Sequence, residues 1–274
     1  MYTRAAVLDG RGKAIVSQSQ AVEVGNYKID ILVPYACRPE KLIDFADRVS
    51  ELRDLTYLRI ILTNFHCDKD VQYMPSTDLR SLLVEFIGFK RKNAVIVIDA
   101  KTKKTKFSRA KALNMLHAKC DDNSMVVAMD IDMQFDSGFL DRIRSFVIPG
   151  VSMYFPIVWS TFNPTNVDKL AAFFAVTREA LSPQYRGIWR AFGYGIYAMY
   201  GKDAKKSLLS ESFVGWGGED NDFFGRMKTK FHIIRARDAG LIHLWHKESC
   251  DSSKPSCTGS KARLEGPPLS FMIK

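Results

Sequence analysis

Short apolar runs alternate with segments of helical period along the first half of the chain. Residues 29–33 read as a buried strand that Pro34 ends, and 58–62, 94–98 and 125–129 repeat that strand pattern. Between them, Leu42, Phe45, Ala46, Val49 and Leu52 recur at helical spacing behind Pro39, and Leu79, Leu82, Leu83, Phe86 and Ile87 mark a second helix. Ser108 is a suitable N-cap for a third helix running through Lys119, and Ser137 for a fourth that carries Leu140 and Ile143. Strand and helix in alternation from residue 28 to about 147 predict a parallel or mixed sheet with helices on both faces. Ligands of such sheets lie beyond the carboxyl ends of the strands, where Pro34, Asp99, Asp130 and Asp132 fall.

The pattern changes after Gly150. Residues 151–159 are strand-like, and the stretch that follows is rich in glycine and aromatics, including Trp189, Phe192, Gly193, Tyr194, Gly195, Tyr197 and Tyr200. This is the acceptor-side half of the same domain rather than a second core, although ordinary packing accounts for most single aromatics. The expected organisation is a lead-in over 1–27, one domain over 28–262 and a tail over 263–274, with halves meeting at about 150. A length of 274 residues with 46% hydrophobic and 26% charged side chains suits one large α/β domain.

The net charge of +10 favours anionic partners. The densest basic run, 101–106, has no interleaved aromatics and reads as a solvated loop, so nucleic acid is not an expected partner. No apolar stretch reaches the ~20 residues of a membrane span. The cysteines at 37, 67, 120, 250 and 257 form no paired metal-binding doublets, and Cys250 with Cys257 is either a short disulfide loop or two thiols.

Four segments can carry chemistry. Asp130-Ile131-Asp132 follows an apolar strand, and an alternating Ile131 aims both carboxylates at one place. Acids there are costly unless a cation sits with them, and oxygen ligands suit Mg2+ or Mn2+ beside a diphosphate leaving group. In 215–222, glycines allow a sharp turn before Glu219, Asp220 and Asp222 open a helix. Acids first and bases last complement the helix dipole, while a sharper reading makes one acid a general base. His243-Leu244-Trp245-His246 offers imidazoles to the same cation, and a mixed oxygen and nitrogen set fits Mn2+ better than Mg2+. Arg109 and Lys111 in the first turn behind Phe107 and Ser108 can meet a diphosphate, or form a solvated face.

Taken in order, these segments resemble the chondroitin N-acetylgalactosaminyltransferase family and, more distantly, the β-1,4-galactosyltransferases. The matching pieces also include Ile29 to Pro34, Tyr154-Phe155-Pro156-Ile157, Phe162-Asn163-Pro164, Trp189 to Gly195 and Gly240-Leu241-Ile242, with Cys250 and Cys257, over about 28–260. The resemblance implies a glycosyltransferase A-type α/β fold, a single domain with a central mixed, mostly parallel sheet flanked by helices. It implies inverting transfer of N-acetylgalactosamine from UDP-GalNAc to a glucuronate-terminated acceptor, with Mn2+ as cofactor. Asp132 is then the main carboxylate ligand, with Asp130 near the ribose or the metal shell. His243 is the imidazole ligand, with His246 the weaker candidate. Asp220 is the general base, Glu219 a sugar-binding acid beside it, and Trp216 an acceptor platform with Gly217 and Trp189. Pro34, Arg38, Phe107, Arg109 and Ile131 line the donor pocket with Asp130.

Family members are anchored in the Golgi by an N-terminal transmembrane helix, so this chain is expected to be a catalytic fragment or a soluble version. Asn221 stands where galactosyltransferases carry an acid, which points to another sugar or acceptor preference. The alternatives are a transferase using UDP-Gal or UDP-GlcNAc on another glycan, or a non-catalytic partner of a chondroitin polymerase. Oligomeric state is left open.

Overall fold

A computed structural model describes residues 28–52, 55–66, 73–91, 93–100, 107–213, 217–247 and 255–266. Strand β1 (Ile29–Ala36) is buried on both faces, so its side chains sort into two cores. Ile29, Ile31, Val33 and Tyr35 enter one, packed with Leu42, Phe45 and Val49 of α1 (Pro39–Ser50) and with Leu79 and Leu83 of α2 (Ser76–Ile87). Leu32 enters the other, against Leu113 and Leu116 of α3 (Arg109–His117). Strands β2 (Leu58–Phe65), β3 (Val95–Asp99) and β4 (Met125–Ala128) run parallel to β1, as the alternation predicts.

Beyond β4 come β5 (Met133–Phe135), α4 (Ser137–Phe146), β6 (Ser152–Tyr154), β7 (Ile157–Thr161), α5 (Pro164–Phe173), β8 (Gly187–Arg190) and β9 (Tyr197–Tyr200). The chain continues through α6 (Gly201–Ala204), α7 (Glu219–Met227), β10 (His232–Ile234), β11 (Arg237–His243) and α8 (Pro255–Leu264). One sheet has the order β10-β6-β9-β4-β1-β2-β3, in which β9 alone opposes its neighbours; a smaller one has the order β5-β11-β7-β8. The β4–β9 pairing interleaves the two expected halves in one sheet. The boundary expected at 262 falls inside α8, where Leu264 is buried and its carbonyl accepts from Asn163 N. The expected lead-in and the basic run 101–106 lie outside the described residues.

Several sequence expectations are corrected. Pro34 does not end β1, which pairs through Pro34–Thr63 to Ala36–Phe65. Leu32 O accepts from Met129 N on the β4 side, and Pro34 faces that same side two residues on, past the last β4 pair. Its missing N–H therefore removes no ladder bond. The cap of α4 is Asp136, whose carboxylate accepts from Phe139 N, rather than Ser137. Phe86 is 49% exposed on the outer face of α2. The stretch 151–159 is two strands in different sheets, because Pro156 interrupts the ladder between Phe155 N, bonded to Ile234 O, and Ile157 N, bonded to Ala236 O.

Candidate active site

The small sheet brings distant segments together. Met133 of β5 pairs with His243 of β11, and Leu244 N donates to Asp132 O at 3.0 Å. Met129 N makes the last bond of the β1–β4 ladder, to Leu32 O, and the chain then turns at 131–132, leaving Asp130, Ile131 and Asp132 beyond the strand end. Arg48, reaching from α1, fixes this turn by donating to Ile131 O at 2.8 Å and Met133 O at 3.2 Å.

Asp132, His243 and His246 form a cluster whose potential ligand atoms lie within 4.8 Å of one another. His246 Nε2 is 2.9 Å from Asp132 Oδ2, His243 Nε2 is 3.9 Å from Oδ1, and Arg38 Nη1 donates to Oδ2 at 3.5 Å. Burial pushes the Asp132 carboxyl up, but His246, His243 and Arg38 outweigh it and hold it well below the usual carboxylate range. Burial lowers His243 to about 4 against the pull of Asp132, so its imidazole is neutral at physiological pH. The hydrogen bond to Asp132 raises His246, against its burial.

Among the described residues, Asp132 Oδ1 and His243 Nδ1 are buried without hydrogen-bond partners. A buried carboxylate acceptor left unmet, as Asp132 Oδ1 is, is costly unless something electron-poor joins it. An ionised carboxylate, a neutral imidazole and a second imidazole within this span fit a divalent first-row cation.

Asp130 takes a different course. Its carboxylate accepts from Arg109 Nε at 3.0 Å, and Arg109 Nη2 donates to Gly195 O at 2.7 Å. The two acids of the Asp-x-Asp segment thus diverge, and Asp130 is outside the cluster that Asp132 forms with the histidines. The reason is local: 131–132 form a turn rather than extended strand, so alternation does not align the carboxylates.

Arg109 also faces Glu219, the buried first residue of α7. Burial raises the Glu219 carboxyl against the opposing charge of Arg109, and its Oε2 has no hydrogen-bond partner among the described residues. Next to it, Asp220 Oδ2 accepts from Tyr194 N at 3.2 Å, and Oδ1 from Asn221 N at 2.9 Å. Asp130, Arg109, Glu219 and Asp220 therefore form one connected group through the 194–195 backbone. Gly217 and Gly218 at the mouth of α7 have φ of 87° and 102°, a turn that side chains resist.

Among the other candidates, Pro34 is buried at the C-terminal part of β1, Ile131 is 3% exposed, and the 45%-exposed Phe107 sets its ring edge-on to Phe65 at 5.3 Å. Trp216, Cys250 and the Cys257 side chain lie outside the described residues. Trp189 pairs with Trp159, which pairs with Ile242, placing it on the face of β11 away from His243. Sequence reasoning missed Arg48, for which a helical arginine gives no signal. It also missed the knot in which Asp99, at the end of β3, accepts from Asn64 Nδ2, Tyr73 OH and Ser76 Oγ. An acid ending a buried strand was its visible trace. Cys37 is disulfide-bonded, and Cys120 is a buried free thiol.

A family model described as chondroitin N-acetylgalactosaminyltransferase matches residues 5–266. The chain belongs to the chondroitin N-acetylgalactosaminyltransferase family. Human chondroitin sulfate synthase 3 is 27% identical over 265 residues, which is 91% of this chain and 29% of that protein. Human chondroitin sulfate N-acetylgalactosaminyltransferase 2 is 26% identical over 263 residues, 93% of this chain and 47% of that protein. This family member thus spans less than half the length of either relative. Among solved structures, the mannosyltransferase PcManGT from Pyrobaculum calidifontis, in complex with GDP-Man and Mn2+, has a TM-score of 0.52 at 11% identity, covering 82% of this chain and 59% of that one. S. aureus TarS 1–349 in complex with UDP-GlcNAc gives 0.52 at 12% identity, covering 83% and 61%. These likenesses show the fold, the glycosyltransferase A-type.

Proposed function

We propose that this chain carries an inverting, Mn2+-dependent transferase that moves N-acetylgalactosamine from UDP-GalNAc to a glucuronate-terminated glycosaminoglycan-type acceptor. The observation that carries the proposal is the joining of segments far apart in sequence: a carboxylate and two imidazoles within 4.8 Å, beside a helix start with two acids tied in through Arg109. Asp132, His243 and His246 would hold the cation, which when bound neutralises a diphosphate leaving group. Arg109 and Arg38 bring fixed positive charge to the side where the donor's phosphate oxygens would sit. Asp220 takes the proton of the acceptor hydroxyl as that oxygen attacks the anomeric carbon opposite the UDP, converting α to β. Glu219, buried at the same helix start, hydrogen-bonds a sugar hydroxyl through its unpartnered oxygen. The Golgi lumen as the site of action agrees with the disulfide at Cys37, since such bonds persist in oxidising compartments. Among the described residues no helix is long and apolar enough to cross a membrane.

The test is a matrix of UDP-GalNAc, UDP-Gal and UDP-GlcNAc against glucuronate-terminated and neutral oligosaccharides, with and without Mn2+. The expected result is a β-linked product only with UDP-GalNAc, the acidic acceptor and the metal. Product from another donor supports the alternative sugar, and UDP binding without any transfer supports a non-catalytic partner.

A further inference from the structure

Side chains alternate along β11, so Ile242 lies on the face of the small sheet opposite His243. On that far face Ile242, Trp159, Thr161, Trp245, Arg178 and Arg186 help line a cavity of about 490 Å3. That volume lies within the ~300–1,000 Å3 typical of small-molecule sites. Its walls are anchored: Trp159 is the register partner of Ile242 on one side and Trp189 on the other, and Trp245 N donates to Thr161 Oγ1 at 2.8 Å. Arg178 at the rim is paired with Asp168, whereas the Arg186 Nε–H is buried with no hydrogen-bond partner among the described residues. A buried guanidinium donor without a partner is costly unless an acceptor arrives.

We propose that this cavity is a second binding site, separate from the Asp132–His243–His246 site, for an acidic sugar unit of an oligosaccharide. A pyranose presents an apolar C–H face that suits the tryptophan rings, and a uronate carboxylate suits the half-buried Arg186 guanidinium that lines the cavity. Trp245 lies in sequence between His243 and His246, so the cavity backs directly onto the segment carrying both imidazoles. A polymer held here and at the candidate active site would be gripped twice, raising its effective concentration at the reacting end.

The test is calorimetric titration of the full chain, without donor or metal, using a glucuronate-containing hexasaccharide and its carboxyl-reduced counterpart. The acidic probe is expected to bind at least about tenfold more tightly than the reduced one, and Arg186→Gln to remove about that advantage. Trp159→Ala should weaken both probes. Should Trp159→Ala fail to fold, Arg186→Gln, at a half-buried position, decides alone, with thermal melting as the control. Equal affinity for both probes, no binding of either, or unchanged binding in Arg186→Gln overturns the proposal. Because no transfer is measured, its failure is distinguishable from failure of the transferase reading.

Discussion

At the residue scale, the site divides labour between neighbouring acids. Asp130 is neutralised by Arg109, Asp132 faces two imidazoles, and Asp220 is held by two backbone N–H groups. Asp220→Asn keeps those dimensions and removes the proton acceptor. Transfer should fall roughly a hundred- to ten-thousandfold, with donor affinity retained, as single-turnover kinetics and UDP titration would show. Retained transfer would remove Asp220 from the base role. A second residue-scale prediction concerns His117, which burial lowers to about 4 and whose Nε2 meets the Tyr197 hydroxyl at 2.8 Å. An unfolded histidine titrates near about 6.5. Between those values the unfolded chain binds a proton that the folded chain refuses, so stability is full above the upper value and falls as pH drops toward the lower. The loss at pH 4 is roughly 3 kcal/mol. Urea denaturation over this range should show a shallower acid loss for His117→Gln than for the parent.

At the element scale, turns and strand ends set the geometry. The entry to α7 depends on left-handed backbone at Gly218, where an added Cβ would also stand 2.9 Å from the Phe213 ring. Gly218→Ala is expected to cost about 1–3 kcal/mol and to lower transfer, because Glu219 and Asp220 follow at once. Thermal melting together with initial rates checks this. Arg48 supports the turn carrying Asp132 from two carbonyls. Arg48→Met should weaken Mn2+ affinity by about tenfold or more, measured by metal titration, in the manner of a lost supporting contact. The parallel strands and their helices were legible because apolar runs and helical spacing are local signals, as with Leu42, Phe45, Ala46 and Val49. The short strands were not: β5 and β10 have three residues each, too few to show a period, and they exist through pairing with β11 and β6. Pro34 misled for the converse reason, since proline ends a strand only where its absent N–H faces a partner.

At the scale of the whole molecule, the two sheets explain why the site is assembled from both halves of the chain. The large sheet places the end of β4, and the small one returns β11 beside β5, so that residues 132 and 243 meet. The candidate acids and histidines were legible as types and spacings. Which of them meet was not, because Asp130 and Asp132 differ in partners only once the chain turns at 131–132, and His246 comes closer to Asp132 than His243 does. The net charge of +10 suits the anionic donor and acceptor proposed for it. Raising the salt concentration should therefore weaken acidic acceptors more than neutral ones of the same length, read from KM.

The most direct measurement is UDP affinity as a function of Mn2+ concentration, for the parent chain and for Asp132→Ala, His243→Ala and His246→Ala. The account predicts that Mn2+ tightens UDP binding strongly in the parent, and that Asp132→Ala and at least one histidine variant abolish this effect while folding is kept. Metal-independent UDP binding, or metal-enhanced binding that survives all three substitutions, would contradict it.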